Sequence, residues 1–216
     1  MSADGTVNPA RIATVILAAG GSTRLGRPKQ LLNFRGEPLV TRAARVAGNV
    51  GCFPVIVVTG ANAPEVASAL ESTPFVHPVF NPDWESGMGS SIAVGVSALL
   101  TRSAPFDAVL LLVCDQLLVS TESILRLCEA HRETGKSVVA SGYGNVWGVP
   151  CLFDRVVLPE LAGLRGAGGA KPIIERYREK GDAVSVLFPG GLCDVDTPAD
   201  WERWQQFDGE KPPLAT

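Results

Sequence analysis

A glycine-rich segment of the sequence combines small residues with two cations. Residues 17–32 read LAAGGSTRLGRPKQLL and include Arg24 and Lys29. Small residues let backbone N–H groups approach a ligand closely, and the cations suit phosphate oxygens. Arg27-Pro28 stands where a Walker A loop needs Lys followed by Ser or Thr, so the segment is not of that type. It predicts a phosphate-binding loop; the alternative is an ordinary glycine-rich turn with solvated charges.

One carboxylate, Asp115, directly follows an apolar run at residues 108–114. Mg²⁺ prefers one or two carboxylates together with water and phosphate oxygens, so Asp115 is a candidate metal ligand. The alternative is that Asp115 caps the next helix, although Ser120 or Thr121 stands at a better position for a cap.

Two further carboxylates, Asp194 and Asp196, flank Val195. In an extended segment both point to one side while Val195 points to the core. One of them can complete a metal site, and we favour Asp196 over Asp194. Helix capping is the other interpretation of Asp196, but Thr197 before Pro198 already fills that position.

A fourth polar segment, NPDWESGMGSS, covers residues 81–91. Gly87 permits close backbone approach, and Ser90 and Ser91 lie where the next helix begins and its N–H groups point outward. Together with Asn81 they are candidate nucleotide contacts. Ordinary helix capping by one serine is the alternative.

Each of these polar segments follows a strand or connects strands and helices that the apolar pattern of the sequence predicts. Residues 11–17, 54–59, 75–80 and 108–114 are almost continuously apolar, which is typical of strands buried on both faces. Stripes of helical period separate them. The order predicts an α/β fold of three layers, doubly wound and Rossmann-like, around a mainly parallel sheet. In such sheets ligands bind at the carboxyl ends of the strands, where the candidate residues lie.

The remainder of the chain alternates less regularly. We expect one domain over residues 1–216, with a flexible glycine-rich segment at 164–170 and frayed ends at 1–10 and 209–216. Further elements are predicted as strands at 137–141, 149–153 and 183–188 and a helix at 198–207.

Composition excludes several classes of protein. With 46% hydrophobic and 19% charged residues and a net charge of -3, the chain is typical of globular proteins and has no general attraction for nucleic acid. Its five cysteines form no C-x-x-C pair, which argues against zinc or a disulfide framework. No apolar run is long enough to cross a membrane, and no signal peptide is recognised, so we expect a cytoplasmic protein. His77 and His131 belong to no motif and receive no role.

The first segment resembles the signature of the MobA-like NTP transferases, L-x-(A/G)-G-x-S-x-R-(M/L)-G-x-(P/D)-K, over residues 17–29. This resemblance implies a nucleotide-diphospho-sugar transferase type of fold and nucleotidyltransferase activity. It also implies that Arg24 and Lys29 neutralise the triphosphate and act in catalysis with Asp115. The remaining loop residues would bind the nucleotide: Leu17, Ala18, Ala19, Gly20, Gly21 and Ser22.

The other segments resemble further motifs of that family. Residues 114–116 are similar to C-D-Q-P, with Leu117 in place of proline, and residues 194–198 are similar to D-(I/V)-D-T-P. The resemblance implies that Asp115 and Asp196 bind Mg²⁺ from opposite sides. Residues 81–91 resemble N-x(5)-G-(M/L)-x-x-S, which implies nucleotide contacts by Asn81, Gly87, Ser90 and Ser91.

The motifs for the acceptor fit less closely. Val149 replaces the histidine of G-H-P-V-x-F, and residues 165–171 lack the aspartate of G-D-x-G-A-R. Lys171 is the candidate for acceptor binding. The resemblance implies transfer of CMP from CTP to a phosphorylated acceptor, the molybdopterin form of the molybdenum cofactor, with release of pyrophosphate. A molybdoenzyme that receives the product would be a partner.

The choice of CTP comes from residues 17–20, which read L-A-A-G as in the resembling cytidylyl enzymes, whereas guanylyl enzymes have L-A-G-G. Three alternatives stay open: another donor such as GTP, a sugar-phosphate acceptor, or a non-catalytic maturation partner that only binds a cofactor.

Overall fold

The computed structural model describes residues 11–207, so the expectation of frayed ends at 1–10 and 209–216 lies outside the described residues. A seven-stranded sheet forms the centre, in the order β5-β4-β1-β6-β8-β7-β9, and β2 and β3 form a separate two-stranded ribbon. The strands are β1 (Ile12–Ala18), β2 (Asn33–Phe34), β3 (Glu37–Pro38), β4 (Val55–Thr59), β5 (Val76–Phe80), β6 (Ala108–Val113), β7 (Val138–Tyr143), β8 (Val146–Asp154) and β9 (Ala183–Leu187). The α-helices are α1 (Leu39–Asn49), α2 (Ala63–Ala69), α3 (Met88–Leu100), α4 (Thr121–Thr134), α5 (Leu158–Ala162), α6 (Lys171–Glu179) and α7 (Pro198–Gln205).

The prediction of a mainly parallel, doubly wound sheet is confirmed. β1 pairs in parallel with β4 and β6, β4 pairs in parallel with β5, and β7 pairs in parallel with β9. Only β8 runs antiparallel to its neighbours β6 and β7 among the strands of this sheet within residues 11–207. The carboxyl ends of β1, β4, β5 and β6 therefore lie at the same end of the sheet, as the placement of the candidate residues requires.

Alternate residues of the central strands enter two apolar clusters, one on each face of the sheet. In β1, Ile12 and Ile16 pack on one side with α1, α2 and α4. Ala13, Val15 and Leu17 pack on the other side with α3, α5 and α6. Because β1 is covered on both faces, its sequence has no polar face, which is why it reads as a continuous apolar run.

One expectation about the elements is wrong, and two helices were not predicted. Strand β5 was expected to be buried on both faces, but it lies at the edge of the sheet, and Pro78 and Phe80 are exposed. The strands predicted at 137–141 and 149–153 belong to β7 and the longer β8, which form a hairpin, whereas the weak periodicity did not predict the short helices α5 and α6. Edge strands and short helices bury little apolar surface, so their sequence pattern is weak.

A third apolar cluster attaches α7 to the body of the protein. Trp201 and Trp204 of α7 pack with Val195 and with residues of the loop after β1, among them Leu25 and Leu32. This packing brings the segment before α7 back to the loop that follows the first strand. It is the structural reason that the carboxylates at 194 and 196 lie near the cations of that loop.

No helix within residues 11–207 is both long and apolar enough to cross a membrane.

Candidate functional site

The loop that follows β1 is held in shape by its own side chains. Ser22 Oγ accepts a hydrogen bond from the backbone N–H of Lys29 at 3.1 Å. Buried Gln30 donates through Nε2 to the carbonyl oxygens of Ala18 and Gly20, at 2.9 and 2.6 Å. Ser22 has a φ of 53°, in the left-handed region that residues with a side chain rarely adopt. The loop therefore folds back over the end of β1 and presents Lys29 to the end of β6.

The cations of this loop meet two carboxylates. Lys29 Nζ contacts Asp115 Oδ2 and lies 3.1 Å from Asp196 Oδ1, while the Arg24 guanidinium lies 2.9 Å from Asp196 Oδ2. The Lys29 and Asp115 side chains are only 22% and 12% exposed, so solvent screens their attraction weakly. The structure thus brings four candidate residues together, although as many as 172 positions separate them in the sequence.

Asp196, rather than Asp194, shares the Lys29 ammonium with Asp115. Val195 is fully buried, as expected, and its N–H donates to the carbonyl oxygen of Asp115 at 3.3 Å. Asp194 pairs with Gln116 in an isolated antiparallel bridge. The geometry therefore favours Asp196 as the second carboxylate.

The crowding of charges shifts the pKa values of the group. Desolvation alone would lower the pKa of Lys29, but the charges of Asp115 and Asp196 outweigh it and hold that pKa above its usual value. Asp194 lies at the surface, yet desolvation of its carboxyl beside Asp115 and Asp196 raises its pKa to about 7. Lys29 is therefore a permanent cation, and the site carries an excess of negative charge.

One oxygen of Asp115 is suited to a metal ion. Within residues 11–207, Asp115 Oδ1 is buried and has no hydrogen-bond partner, a state that is costly unless a ligand satisfies it. Asp196 supplies a second carboxylate close by. The described residues contain no group of three or more His, Cys, Asp or Glu side chains arranged to hold a metal by themselves. The site fits a divalent cation that shares its coordination with substrate phosphates.

Helix capping does not account for either carboxylate. Ser120 caps α4 through its side chain, which accepts from Ser123 N. Thr197 caps α7 and forms a reciprocal pair with Asp200. The capping alternatives for Asp115 and Asp196 are thus filled by other residues.

A cavity of about 290 Å³ adjoins this cluster. Its walls come from the end of β1, the end of β6 and the first turn of α3. The candidate residues that line it are Leu17, Ala18, Ala19, Gly20, Lys29, Gly87, Ser91 and Asp115. It combines apolar walls with a charged side, which is the usual character of a site for a small organic ligand.

Asn81 and Ser90 lie behind the cavity wall. The Asn81 amide donates to Ser90 Oγ at 2.9 Å and Ser91 Oγ at 3.0 Å, and its oxygen accepts from Asp83 N at 3.0 Å. Both hydrogens of this fully buried amide are therefore used inside the protein. The structure gives Asn81 the position of a support that orients Ser91, the serine that lines the cavity.

The first turn of α3 packs against the glycine-rich segment. A Cβ on Gly87 would lie 2.7 Å from Ala167 Cα, and one on Gly89 would lie 2.8 Å from the carbonyl oxygens of Arg165 and Gly166. Gly89 N–H donates to Gly166 O at 2.8 Å. The segment expected to be flexible is thus tied to the cavity wall by backbone contacts that only glycine allows.

Lys171 lies apart from the first cluster, at the start of α6. It lines a second cavity of about 160 Å³, together with Trp147, Val149 and Gly169. Met88 lines both cavities, so the second one adjoins the first. Lys171 has an ion pair with Glu175 at 3.9 Å, and its side chain is 62% exposed. The two lysines of the candidate site therefore face different spaces.

The two histidines of the sequence contact neighbouring residues away from these cavities. His77 Nε2 lies 3.0 Å from the guanidinium of Arg102, and His131 Nε2 lies 3.4 Å from Asp154. Neither histidine lines the two cavities just described.

Three residues of the site were not selected from the sequence. Gln30 holds the loop after β1, and its Oε1 is buried without a hydrogen-bond partner within residues 11–207. Trp84 lines the first cavity. Gly60 allows the loop after β4 to approach Ala19, since a Cβ there would lie 2.5 Å from the Ala19 carbonyl oxygen. Gln30 and Trp84 lie inside the segments that attracted attention, but only tertiary contacts reveal what they do.

Comparison with known proteins agrees with this geometry. Residues 14–181 match the model of the MobA-like NTP transferase domain. The chain is 34% identical over 195 residues to nicotine blue oxidoreductase of Paenarthrobacter nicotinovorans, which covers 86% of this chain and 92% of that protein. It is 28% identical over 202 residues to molybdenum cofactor guanylyltransferase of Vibrio cholerae, which covers 90% of this chain and 92% of that protein.

Solved structures give the same picture. A nucleotidyl transferase from Methanothermobacter thermautotroptrophicus superposes with a TM-score of 0.76 at 25% identity, over 91% of this chain and 96% of the other. A Mycobacterium tuberculosis protein solved in complex with manganese superposes with a TM-score of 0.69 at 26% identity, over 91% of this chain and 98% of the other. This chain belongs to the MobA-like NTP transferase family and is an enzyme of the nucleotidyltransferase class.

Proposed function

We propose that this enzyme is Mg²⁺-dependent and transfers CMP from CTP to the phosphate of a molybdopterin-type acceptor, with release of pyrophosphate. The observation that carries the proposal is the convergence of Lys29, Asp115 and Asp196 beside a cavity of about 290 Å³. The cations suit a triphosphate, and the carboxylates that they contact suit a metal ion.

In the proposed reaction, an oxygen of the acceptor phosphate attacks the α-phosphorus of CTP in line with the leaving group. A bond forms between that oxygen and the α-phosphorus, and the bond from the α-phosphorus to the bridging oxygen of the β-phosphate breaks. Pyrophosphate leaves with that bridging oxygen. The acceptor phosphate is already ionised near neutral pH, so the chain needs no general base, and we assign none.

The residues of the chain act by position and charge. Arg24 and Lys29 hold the triphosphate, and backbone N–H groups of the loop after β1 add hydrogen bonds. Asp115 and Asp196 would hold Mg²⁺, which when bound neutralises phosphate charge and polarises the α-phosphoryl group. Lys171 faces the second cavity, where we place the acceptor. Because Met88 lines both cavities, donor and acceptor would meet beside the start of α3.

The manganese in the Mycobacterium tuberculosis structure supports a divalent cation, and the name of the Vibrio cholerae relative supports a molybdenum-cofactor acceptor. That relative is a guanylyltransferase, so GTP is the principal alternative donor. We favour CTP because Ala19 lines the cavity and its methyl group narrows the space beside the base. One methyl group contributes only about 1–3 kcal/mol to such a choice, so other contacts must add to it.

The test measures pyrophosphate released by the full chain with each of CTP, GTP, ATP and UTP, in Mg²⁺ and in EDTA. Molybdopterin and a sugar phosphate serve as acceptors. We expect release to be fastest with CTP and molybdopterin and to stop in EDTA. Pyrophosphate is the appropriate readout because one relative is named an oxidoreductase, and electron transfer would not release it.

Three results would contradict the proposal. Fastest pyrophosphate release with GTP would identify GTP as the donor, and fastest release with the sugar phosphate would identify a sugar phosphate as the acceptor. No release with any pair, although CTP raises the melting temperature, would favour the non-catalytic binding protein, since a ligand that binds only the native state stabilises it.

A further inference from the structure

The position of Lys29 conflicts with two roles that the proposed function gives to this site. Lys29 is assigned to the triphosphate, and the metal ion is assigned to Asp115 and Asp196. In the structure, however, the Lys29 ammonium itself bridges these two carboxylates. It uses Oδ2 of Asp115 and Oδ1 of Asp196, whereas Arg24 takes the remaining oxygen of Asp196, Oδ2. The ammonium therefore occupies the space between the two carboxylates.

A metal ion and this ammonium cannot share that space. Mg²⁺ binds oxygen at about 2.0–2.1 Å and needs the oxygens to converge on it. An ammonium between the carboxylates uses the same oxygens as acceptors and places a positive charge where the metal charge would be. Within residues 11–207, the buried Oδ1 of Asp115 has no hydrogen-bond partner, so the lysine leaves one carboxylate oxygen beside this space unsatisfied.

The side chain of Lys29 can leave without disturbing the loop. Its backbone is anchored, since its N–H donates to Ser22 Oγ and residues Lys29–Leu31 form a short 3₁₀ turn. The side chain itself has four rotatable carbon–carbon bonds and a compact charge. Lys29 also lines the cavity of about 290 Å³, so a rotation moves the ammonium from the carboxylates toward a ligand there.

We propose that Lys29 is an internal cation that fills the metal position of the nucleotide-free enzyme, and that it moves onto the phosphates when metal and nucleotide enter together. This inference rests on the proposed metal-dependent function. The lysine stabilises the empty site, in which buried carboxylates would otherwise repel one another. It also makes binding of metal alone unfavourable, so the enzyme selects the metal–nucleotide complex over the free metal ion.

The test measures binding of Mn²⁺ alone to the full chain, by the loss of the free-ion signal in electron paramagnetic resonance. The variant is Lys29→Met, which keeps the length of the side chain and removes its charge, and Lys29→Gln is a second, polar variant in case the first folds poorly. The matched control is Arg27→Met, which removes one positive charge from an exposed residue of the same loop. Circular dichroism verifies that each variant is folded.

We expect Lys29→Met and Lys29→Gln to bind Mn²⁺ at least about tenfold more tightly than the parent, because a contacting positive charge is removed. Arg27→Met should change the affinity much less. Equal affinity in the parent and both Lys29 variants, or an equal gain in Arg27→Met, would overturn the inference.

A second arm repeats the titration with CTP present and detects protein-bound Mn²⁺ by water-proton relaxation. Suppose that the parent binds Mn²⁺ with CTP present, but that the parent and all variants bind Mn²⁺ alone equally well. That result would leave the metal-dependent function standing and reject only the role of Lys29 as a cation in the metal position. Absence of bound Mn²⁺ in every protein, with and without CTP, would reject both.

Discussion

The substitution Asp115→Asn tests the metal site most directly. Asp115 is one of two carboxylates that meet at Lys29, and its side chain is only 12% exposed. Asparagine has the same shape but supplies no negative charge, so a metal ion loses half of its carboxylate ligands. We expect kcat/KM to fall about 10²-fold or more, which corresponds to a loss of at least about 2.7 kcal/mol of transition-state stabilisation.

The same substitution should leave stability nearly unchanged, and the charges of the site show why. Three carboxylates, Asp115, Asp194 and Asp196, face the two cations Lys29 and Arg24. Asp194, with a pKa of about 7, is about half protonated at neutral pH, so removing one negative charge leaves the site close to neutral, while Lys29 keeps its contact with Asp196. The lost ion pair and the relieved repulsion oppose each other, so we expect the free energy of unfolding to change by less than about 1 kcal/mol.

The assay combines initial rates of pyrophosphate release over a range of Mg²⁺ concentrations with thermal unfolding followed by circular dichroism. Asp154→Asn is the matched control. Asp154 ends β8 beside the start of β6, at the opposite edge of the sheet, where it caps a short turn and contacts His131. The control should retain the parent kcat/KM. Near-normal turnover of Asp115→Asn at saturating Mg²⁺ would refute the metal assignment, and a large loss of stability would refute the charge argument.

Three further predictions follow from the cavities and their walls. Lys29→Ala should weaken CTP binding in a salt-dependent way, whereas Lys171→Ala should raise KM for the acceptor more than KM for CTP. The reason is that the two lysines line different cavities. Equal effects of the two substitutions on CTP binding, measured by calorimetry, would contradict this layout. Gly89→Ala should lower the free energy of unfolding, measured by urea denaturation, by about 1–3 kcal/mol, since its Cβ would lie 2.8 Å from the Gly166 carbonyl oxygen. An unchanged free energy of unfolding would mean that the backbone at Gly166 moves away at no cost. Ala19→Gly should reduce the ratio of kcat/KM for CTP to that for GTP by about 10- to 200-fold, as expected for one methyl group worth about 1–3 kcal/mol. An unchanged ratio would move base selection to another wall of the cavity.

The sequence by itself determined the architecture of the first half of the protein. In a parallel strand covered on both faces nearly every side chain is apolar, with Thr14 the exception in β1, so β1 and β6 can be recognised from their continuous apolar runs. The loop after β1 could also be recognised, because its glycines and cations are consecutive in the chain. The same local information predicted helix caps at Thr197 and at Ser120 or Thr121, and Ser120 and Thr197 are the caps, since a cap bonds to residues only three positions away.

Tertiary structure alone decided how these pieces act together. The contact of Lys29 with Asp196 joins residues 167 positions apart and depends on the packing of Trp201 and Trp204 against the loop after β1. No local pattern encodes that packing. In the same way, Asn81 looks like a ligand-binding residue in the sequence, yet its amide hydrogens are used by Ser90 and Ser91 inside the fold. Residue type and spacing indicate which chemistry is available, whereas long-range packing determines which groups face the ligand.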